Sequence, residues 1–346
     1  MLQQGISSTN TQNYAKTIEI TVVNSSDKSS TKSSDENVEK EIFKNDFQEN
    51  RIVDEIKNKE ISISSRTLND IFKFSFFSEE EKSSYASEYL NEIYQNLLLE
   101  EKYYNLKPKY GYMKNQNEIN SNMRAILINW LIEIDSEFYF KPDTLFKCIM
   151  IVDIYLSKNT ISRDKFQLLG VTALFIAFKL NENCQPSVSK FISLTADSYS
   201  KAEVISMENN ILKCLDYNLI FPTSIDFYNI ISKAYKFNNK QYFFGKFLLE
   251  ISLLDDNFIL FSPSEIACGC CYLVMKKFAL FSYYSLYKEK ILLNEYPEIT
   301  IKCIGKSICD LIVCCSGYFL KVLIKKYSLP RFSNVVTLIQ DLICTK

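Results

Sequence analysis

The sequence predicts an all-α protein, and three observations carry that expectation. Turn-formers are scarce: of 346 residues only seven are Gly and seven are Pro, about 2% each where roughly 7% and 5% are usual. Apolar residues make up 47% of the chain, and from about residue 79 they recur at helical spacing instead of alternating. The breaks between apolar stretches are short and polar, as between packed helices. At roughly 150 residues per domain, the length suggests two domains.

Residues 1 to about 75 are rich in Ser, Asn, Thr, Lys and Glu, with few aromatics before Phe72. Such a segment buries too little apolar surface to offset its ordering entropy, so 1–78 reads as a disordered tail. The stretch ASEYLNEIYQNLLLEEKYYNL then places Tyr89, Ile93, Leu97 and Leu98 at i, i+4, i+8 and i+9. That is one face of an amphipathic helix of about five to six turns. A polar linker, KPKYGYMKNQNEINS, completes a lead-in over 79–120. SNMRAILINWLIEIDSEFYF opens the next helix with Ser121 or Asn122 as N-cap. KPDTLFKCIMIVDIYLS carries Pro142 in its first turn, where the missing N–H costs little. SRDKFQLLGVTALFIAFKLNE is apolar almost all round and reads as buried on every side. PSVSKFISLT is short, and SKAEVISMENNILKCLDYNL sets Ser200 and Glu203 at capping-box spacing. Those helices fill 121–220. FPTSIDFYNIISKAY restarts the pattern, and a second set of four or five helices fits 221–346. The halves share little letter for letter, so any repeat is architectural.

Residue types narrow the chemistry. Forty basic and 41 acidic residues leave a net charge of −1, without the basic surplus of a nucleic-acid binder. Histidine is absent, which removes a His general base, a Ser-His triad and a His-ligated zinc. The carboxylate pairs Glu79/Glu80 and Asp255/Asp256 are sequence neighbours that do not share a helix face. All eleven cysteines follow residue 147, mostly in apolar helical stretches such as those of Cys214, Cys268 and Cys314, and read as reduced thiols packed as small hydrophobes. Cys268 and Cys271 stand at CxxC spacing without a second ligand pair, so neither metal nor cofactor is expected. The start, MLQQGISSTN, does not read as a secretory signal. No apolar run reaches the roughly 18 residues of a membrane span, since 311–324 is interrupted by Lys321.

Several segments, in order, resemble the cyclin family. MRAILINWLIEI, over 123–134, looks like the first-helix signature of the cyclin box. KPDTLFKCIMIVDIYLS, DKFQLLGVTALFIAFKLNE and the run from PSVSKFISLT to PTSIDFY are similar to the second through fifth helices and the turn beyond. FLLEISLLDDNFILFSPSEIACGCCYLV and VLIKKYSLPRFSNVV resemble the second box of A- and B-type mitotic cyclins, and the lead-in YLNEIYQNLLLEEKYY is closest to the B-type group. The resemblance covers roughly residues 85–340. It implies two tandem five-helix boxes, over 121–220 and 221–346. Departures from the family pattern are Ile154 for an Arg, Asn181 for an acid and Asp135 for a His.

The resemblance also implies roles. Lys179 and Glu208 match positions that hydrogen-bond a kinase near its regulatory helix, with Leu180, Leu212, Tyr217 and Leu219 as the apolar part of that surface. Met123, Ile126, Leu127, Trp130, Glu133, Phe166 and Gln167 match a groove that docks substrates and inhibitors carrying a basic residue and a spaced Leu. Read from spacing alone, the first-helix members are core or an exposed apolar stripe; Trp130 is the only Trp, and an indole is a frequent anchor. Arg occurs only at 51, 66, 124, 163 and 331, so Arg124 inside an apolar helix suggests a need for its multi-donor fork. The family pairs it with Asp153 in a buried structural ion bridge.

The function so implied is a non-catalytic subunit that activates a cyclin-dependent kinase at G2/M, with neither nucleic acid nor membrane as partner. The alternative is a transcription-type or orphan cyclin acting outside cell division. Nucleus and cytoplasm are the expected compartments, although the only tight basic cluster before the boxes is KPK at 107–109. In SRTLNDIF, Leu68 stands two residues after Arg66, not three, so timed destruction has no motif here.

Overall fold

The computed structural model describes residues 89–104, 106–183, 187–280, 296–314 and 317–339. The expected tail, the first residues of the lead-in and the loosely matching SRTLNDIF lie outside them. Among the described residues every regular element is helical, and no single helix is long and apolar enough to cross a membrane.

The lead-in helix α1 (Leu90–Tyr103) spans 14 residues, about four turns rather than the five to six expected. Its inward face is also shifted by one residue. Leu90, Tyr94 and Glu101 are buried, whereas Tyr89 and Ile93 are 57% and 42% exposed. Tyr94 meets Phe227 edge-on at 5.8 Å, so a partner from the second half of the chain selects the face.

The first bundle comprises α2 (Ser121–Phe138), α3 (Pro142–Lys158), α4 (Phe166–Asn181), α5 (Val188–Ser193) and α6 (Lys201–Cys214). Helix α2 is capped by Asn120, one residue before the cap expected, whose side chain accepts the Met123 N–H. Pro142 sits in the first turn of α3. Glu182, just past α4, accepts from the Lys141 N–H and the Thr144 hydroxyl, both at 2.7 Å. A carboxylate from one helix end thus compensates the positive N-terminus of another. Ser200 and Glu203 form the expected capping box of α6. Helix α4 is the axis: Leu168 through Ala177 are all buried, and α2, α3 and α6 pack around it.

The second bundle comprises α7 (Ser224–Ala234), α8 (Asn239–Ser252), α9 (Pro263–Lys277), α10 (Glu298–Cys314) and α11 (Gly317–Tyr327). Capping boxes at Thr223/Asp226, Asn238/Gln241 and Ser262/Glu265 start its first three helices. Helix α9 is the axis here, packed by α7, α8 and α10. Cys268, Cys270 and Cys271 lie in this core. Burial pushes the Cys270 and Cys271 thiols well up, which holds them neutral as apolar packing groups. Cys314, by contrast, is exposed at the end of α10. The bundles meet through α2 against α11 and α3 against α7.

Candidate functional site: an ion pair at the end of α4

At the end of α4 the buried helix surfaces. Lys179 stands in its last turn and forms an ion pair with Glu208 of α6. The Lys179 side chain is 40% exposed and that of Glu208 is 14% exposed. The same ammonium lies 4.5 Å from the centroid of the Phe175 ring, a buried ring that meets Phe191 edge-on at 5.2 Å. Carboxylate and aromatic face together fix where this cation sits.

Large apolar side chains stand near the pair along α4, α6 and the turn after α6, and several of them are exposed. Leu180 is 44% exposed and Tyr217 65%, while Leu212 and Leu219 are half-buried. Ile205 and Ile220, at 40% and 72%, extend the patch and were missed from sequence. Ile220 follows α6 without helical periodicity, so no spacing marked it. The turn that displays Tyr217 is built by two left-handed residues, Asp216 at φ 50° and Tyr217 at φ 56°. The Tyr217 N–H donates to the Leu212 carbonyl at 2.9 Å, closing the end of α6. The Tyr104 hydroxyl, just past α1, donates to the Asn218 carbonyl at 3.1 Å, so the lead-in pins this turn.

The residues assigned to a docking groove are placed differently from an open stripe. Leu127, Trp130 and Phe166 are only 2%, 3% and 5% exposed. They are core, because α4 packs across this face of α2. Met123, Ile126, Glu133 and Gln167 are half-buried at its edge. Two donors in this region, Trp130 Nε1 and Gln167 Nε2, are buried and donate to nothing among the described residues. Burial pushes the Glu133 carboxyl up while Lys325 of α11 draws it down, so its basic neighbour comes from the second bundle.

Arg124 and Asp153, the pair implied by the resemblance, meet in the core. Arg124 Nε and Nη2 donate to Asp153 Oδ1 and Oδ2 at 2.9 and 2.7 Å. The Tyr112 hydroxyl accepts from Arg124 Nε at 2.8 Å and donates to Asp153 at 2.7 Å. Arg124 Nη1 donates to the Leu253 carbonyl of the second bundle at 3.0 Å, a tie that sequence reading did not foresee.

A second charged cluster was missed. Lys326 Nζ lies 2.7 Å from Asp135 Oδ2 and 2.6 Å from Glu250 Oε2, and Lys246 Nζ lies 3.6 Å from Glu250 Oε1. All four residues are buried. Two acids and two bases thus neutralise one another across the bundle junction. Only the departure at Asp135 hinted at it. Among the described residues no group of three or more acids and cysteines gathers as a metal site.

Residues 92–220 match the family "Cyclin, N-terminal domain" and residues 222–341 match "Cyclin, C-terminal domain". The G2/mitotic-specific cyclin-B of Hydra vulgaris is 36% identical over 222 residues, covering 62% of this chain and 61% of that protein. That of Marthasterias glacialis is 32% identical over 260 residues, covering 73% of this chain and 64% of that protein. Cyclin-A2 of Xenopus laevis is 36% identical over 185 residues, covering 53% and 44%. The chain therefore spans about half to under two thirds of the length of its cyclin-B relatives. The X-ray structure of a viral cyclin from herpesvirus saimiri superposes with a TM-score of 0.53 at 21% identity, covering 64% of this chain and 97% of that one; it shares the fold.

Proposed function

Given that the chain belongs to the cyclin family, we propose that it is the regulatory subunit of a cyclin-dependent protein kinase, without catalysis of its own. The observation that carries this reading is the Lys179–Glu208 pair together with the exposed large apolar residues Leu180, Ile205, Tyr217 and Ile220 on the same elements and the turn that follows them. A pair whose lysine is open to solvent adds little to a fold, and exposed clusters of large apolar side chains mark partner surfaces. Binding there would hold the kinase's regulatory helix in its active position by differential contacts. That completes the Lys–Glu pair needed for phosphoryl transfer. Mitotic-type relatives support a role at G2/M; action in nucleus and cytoplasm is proposed with it.

We further propose that the α2–α4 seam docks substrates or inhibitors with a basic residue and a spaced Leu. Trp130 Nε1 and Gln167 Nε2 support it, because a buried donor without an acceptor is costly and an extended peptide carbonyl would satisfy it. Met123, Ile126 and Glu133 would form the rim.

The test is capture of the organism's kinases on the recombinant chain, followed by phosphorylation of a histone-type substrate. Capture of one cyclin-dependent kinase with a large rise in activity is the expected result. The double variant Lys179→Ala/Glu208→Ala should lose most of that activation with its unfolding temperature nearly unchanged. No activation by the wild-type chain would overturn the reading.

A further inference from the structure

Where the lead-in and the two bundles meet, the structure leaves a cavity of about 360 Å³. That lies within the roughly 300–1,000 Å³ of sites that hold ligands. Its wall is mostly apolar: Phe146, Ile149 and Met150 of α3, Phe221 between the bundles, Phe258 ahead of α9 and Ile266 within it. Phe146, Ile149, Phe221 and Phe258 are buried, so most of this wall belongs to the core and not to the outer surface.

The wall also carries charges, but each carboxylate on it already has a partner. Asp153 takes its two bonds from Arg124. Glu101 accepts from the Ser264 N–H and hydroxyl at 2.8 and 2.6 Å. Glu265 accepts from the Ser262 N–H and hydroxyl at 2.8 and 2.9 Å, and Asp255 from the Asn257 N–H at 2.9 Å. Burial pushes the Glu101 and Asp255 carboxyls up, the behaviour of surroundings that disfavour charge. A cation would give up its hydration for acceptors that are already engaged. An anion would meet four carboxylates against Arg124 and Lys107. Charge therefore selects an uncharged occupant. Size narrows it further. An apolar cavity of about 150 Å³ takes up benzene, and this one is more than twice as large.

We propose that the cavity binds a small uncharged aromatic molecule of about two fused rings. Such a ligand touches α3 of the first bundle and the entry to α9 of the second, and so ties the two together. The proposal does not rest on the kinase reading, because every readout involves this chain alone.

The test uses the full chain with carbon-13 in its methionine methyls, and indole as the probe. Indole should shift the methyl signal of Met150 saturably. It should leave unmoved that of Met275, a buried residue of α9 that is not on the wall. The unfolding temperature should rise with indole concentration. Tryptamine and indole-3-acetate, which add a cation or an anion to the same ring, should bind at least ten-fold more weakly. Met150→Trp fills the space from within and should abolish the rise in unfolding temperature; Ile266→Phe replaces it if that variant does not fold. An unmoved Met150 methyl, equal shifts at Met150 and Met275, equal binding of either charged analogue, or an undiminished rise in a folded filled variant would each overturn the proposal.

Discussion

Replacing Asp153 by Ala tests the buried core pairing most directly. The change strands the Arg124 guanidinium, which is 2% exposed at its side chain. It removes two charge-assisted bonds, at 2.9 and 2.7 Å, and the acceptor of the Tyr112 hydroxyl. Bonds to charged groups contribute about 1.5–3 kcal/mol each, which gives roughly 3–6 kcal/mol. Breaking one side of a buried pair costs about 3–5 kcal/mol, so a loss near 4 kcal/mol is expected. For domains of 150–250 residues each kcal/mol lowers the unfolding temperature by about 2–4 °C, so the drop should be roughly 8–16 °C. Urea unfolding followed by far-ultraviolet circular dichroism would measure it. The double variant Arg124→Met/Asp153→Leu should lose less than the sum of its singles, with a coupling of about 3 kcal/mol, near the top of the range for contacting residues. Additive losses, or a loss below about 1 kcal/mol for Asp153→Ala, would refute the pairing as a determinant of stability.

Three further outcomes are expected. Trp130→Ala should destabilise by about 3–5 kcal/mol because the indole is buried. Trp130→Phe should stay folded and, on the docking proposal, reduce phosphorylation only of substrates with a basic-x-Leu motif; equal loss on a simple peptide would reject that role. Glu101 has its carboxyl raised by burial from 4.5. A raised carboxyl favours the folded state most below its unfolded value, so this contribution fades as pH rises above about 4.5. Relative to Glu101→Gln, the wild type should therefore lose stability between pH 4.5 and 7, and parallel stability profiles in denaturant titrations would contradict this. Gly245→Ala would bring its Cβ to 1.9 Å from the Tyr228 hydroxyl. That ring is fully buried and hydrogen-bonded to the Tyr242 carbonyl at 3.0 Å, so strain of about 1–3 kcal/mol should appear in the same titration.

Much of this cyclin fold is legible along the chain. The Ser200/Glu203 box, Pro142 in the first turn of α3 and the all-round apolarity of α4 each act through local geometry or simple burial, and each appears where the residues place it. The three capping boxes of the second bundle have the same three-residue spacing but were not read from the sequence. The α2 cap moved to Asn120 because neighbouring polar residues offer near-equivalent caps and backbone geometry chooses among them. The candidate surface is legible only in part. Lys179 and Glu208 carry family signatures, whereas Ile205 on α6 and Ile220 beyond it are marked only by their exposure in the folded chain.

The sequence by itself determined the helical class, the two sets of helices and most helix starts, since spacing and caps act within a few residues. Only the tertiary structure decided which face of α1 turns inward, that Trp130 lies in the core, and that Asp135, Glu250, Lys246 and Lys326 share one neutral cluster. Those outcomes depend on what covers a side chain and on how much water is removed from it. Both are properties of partners up to 191 residues away along the chain, as between Lys326 and Asp135, and no local pattern encodes them.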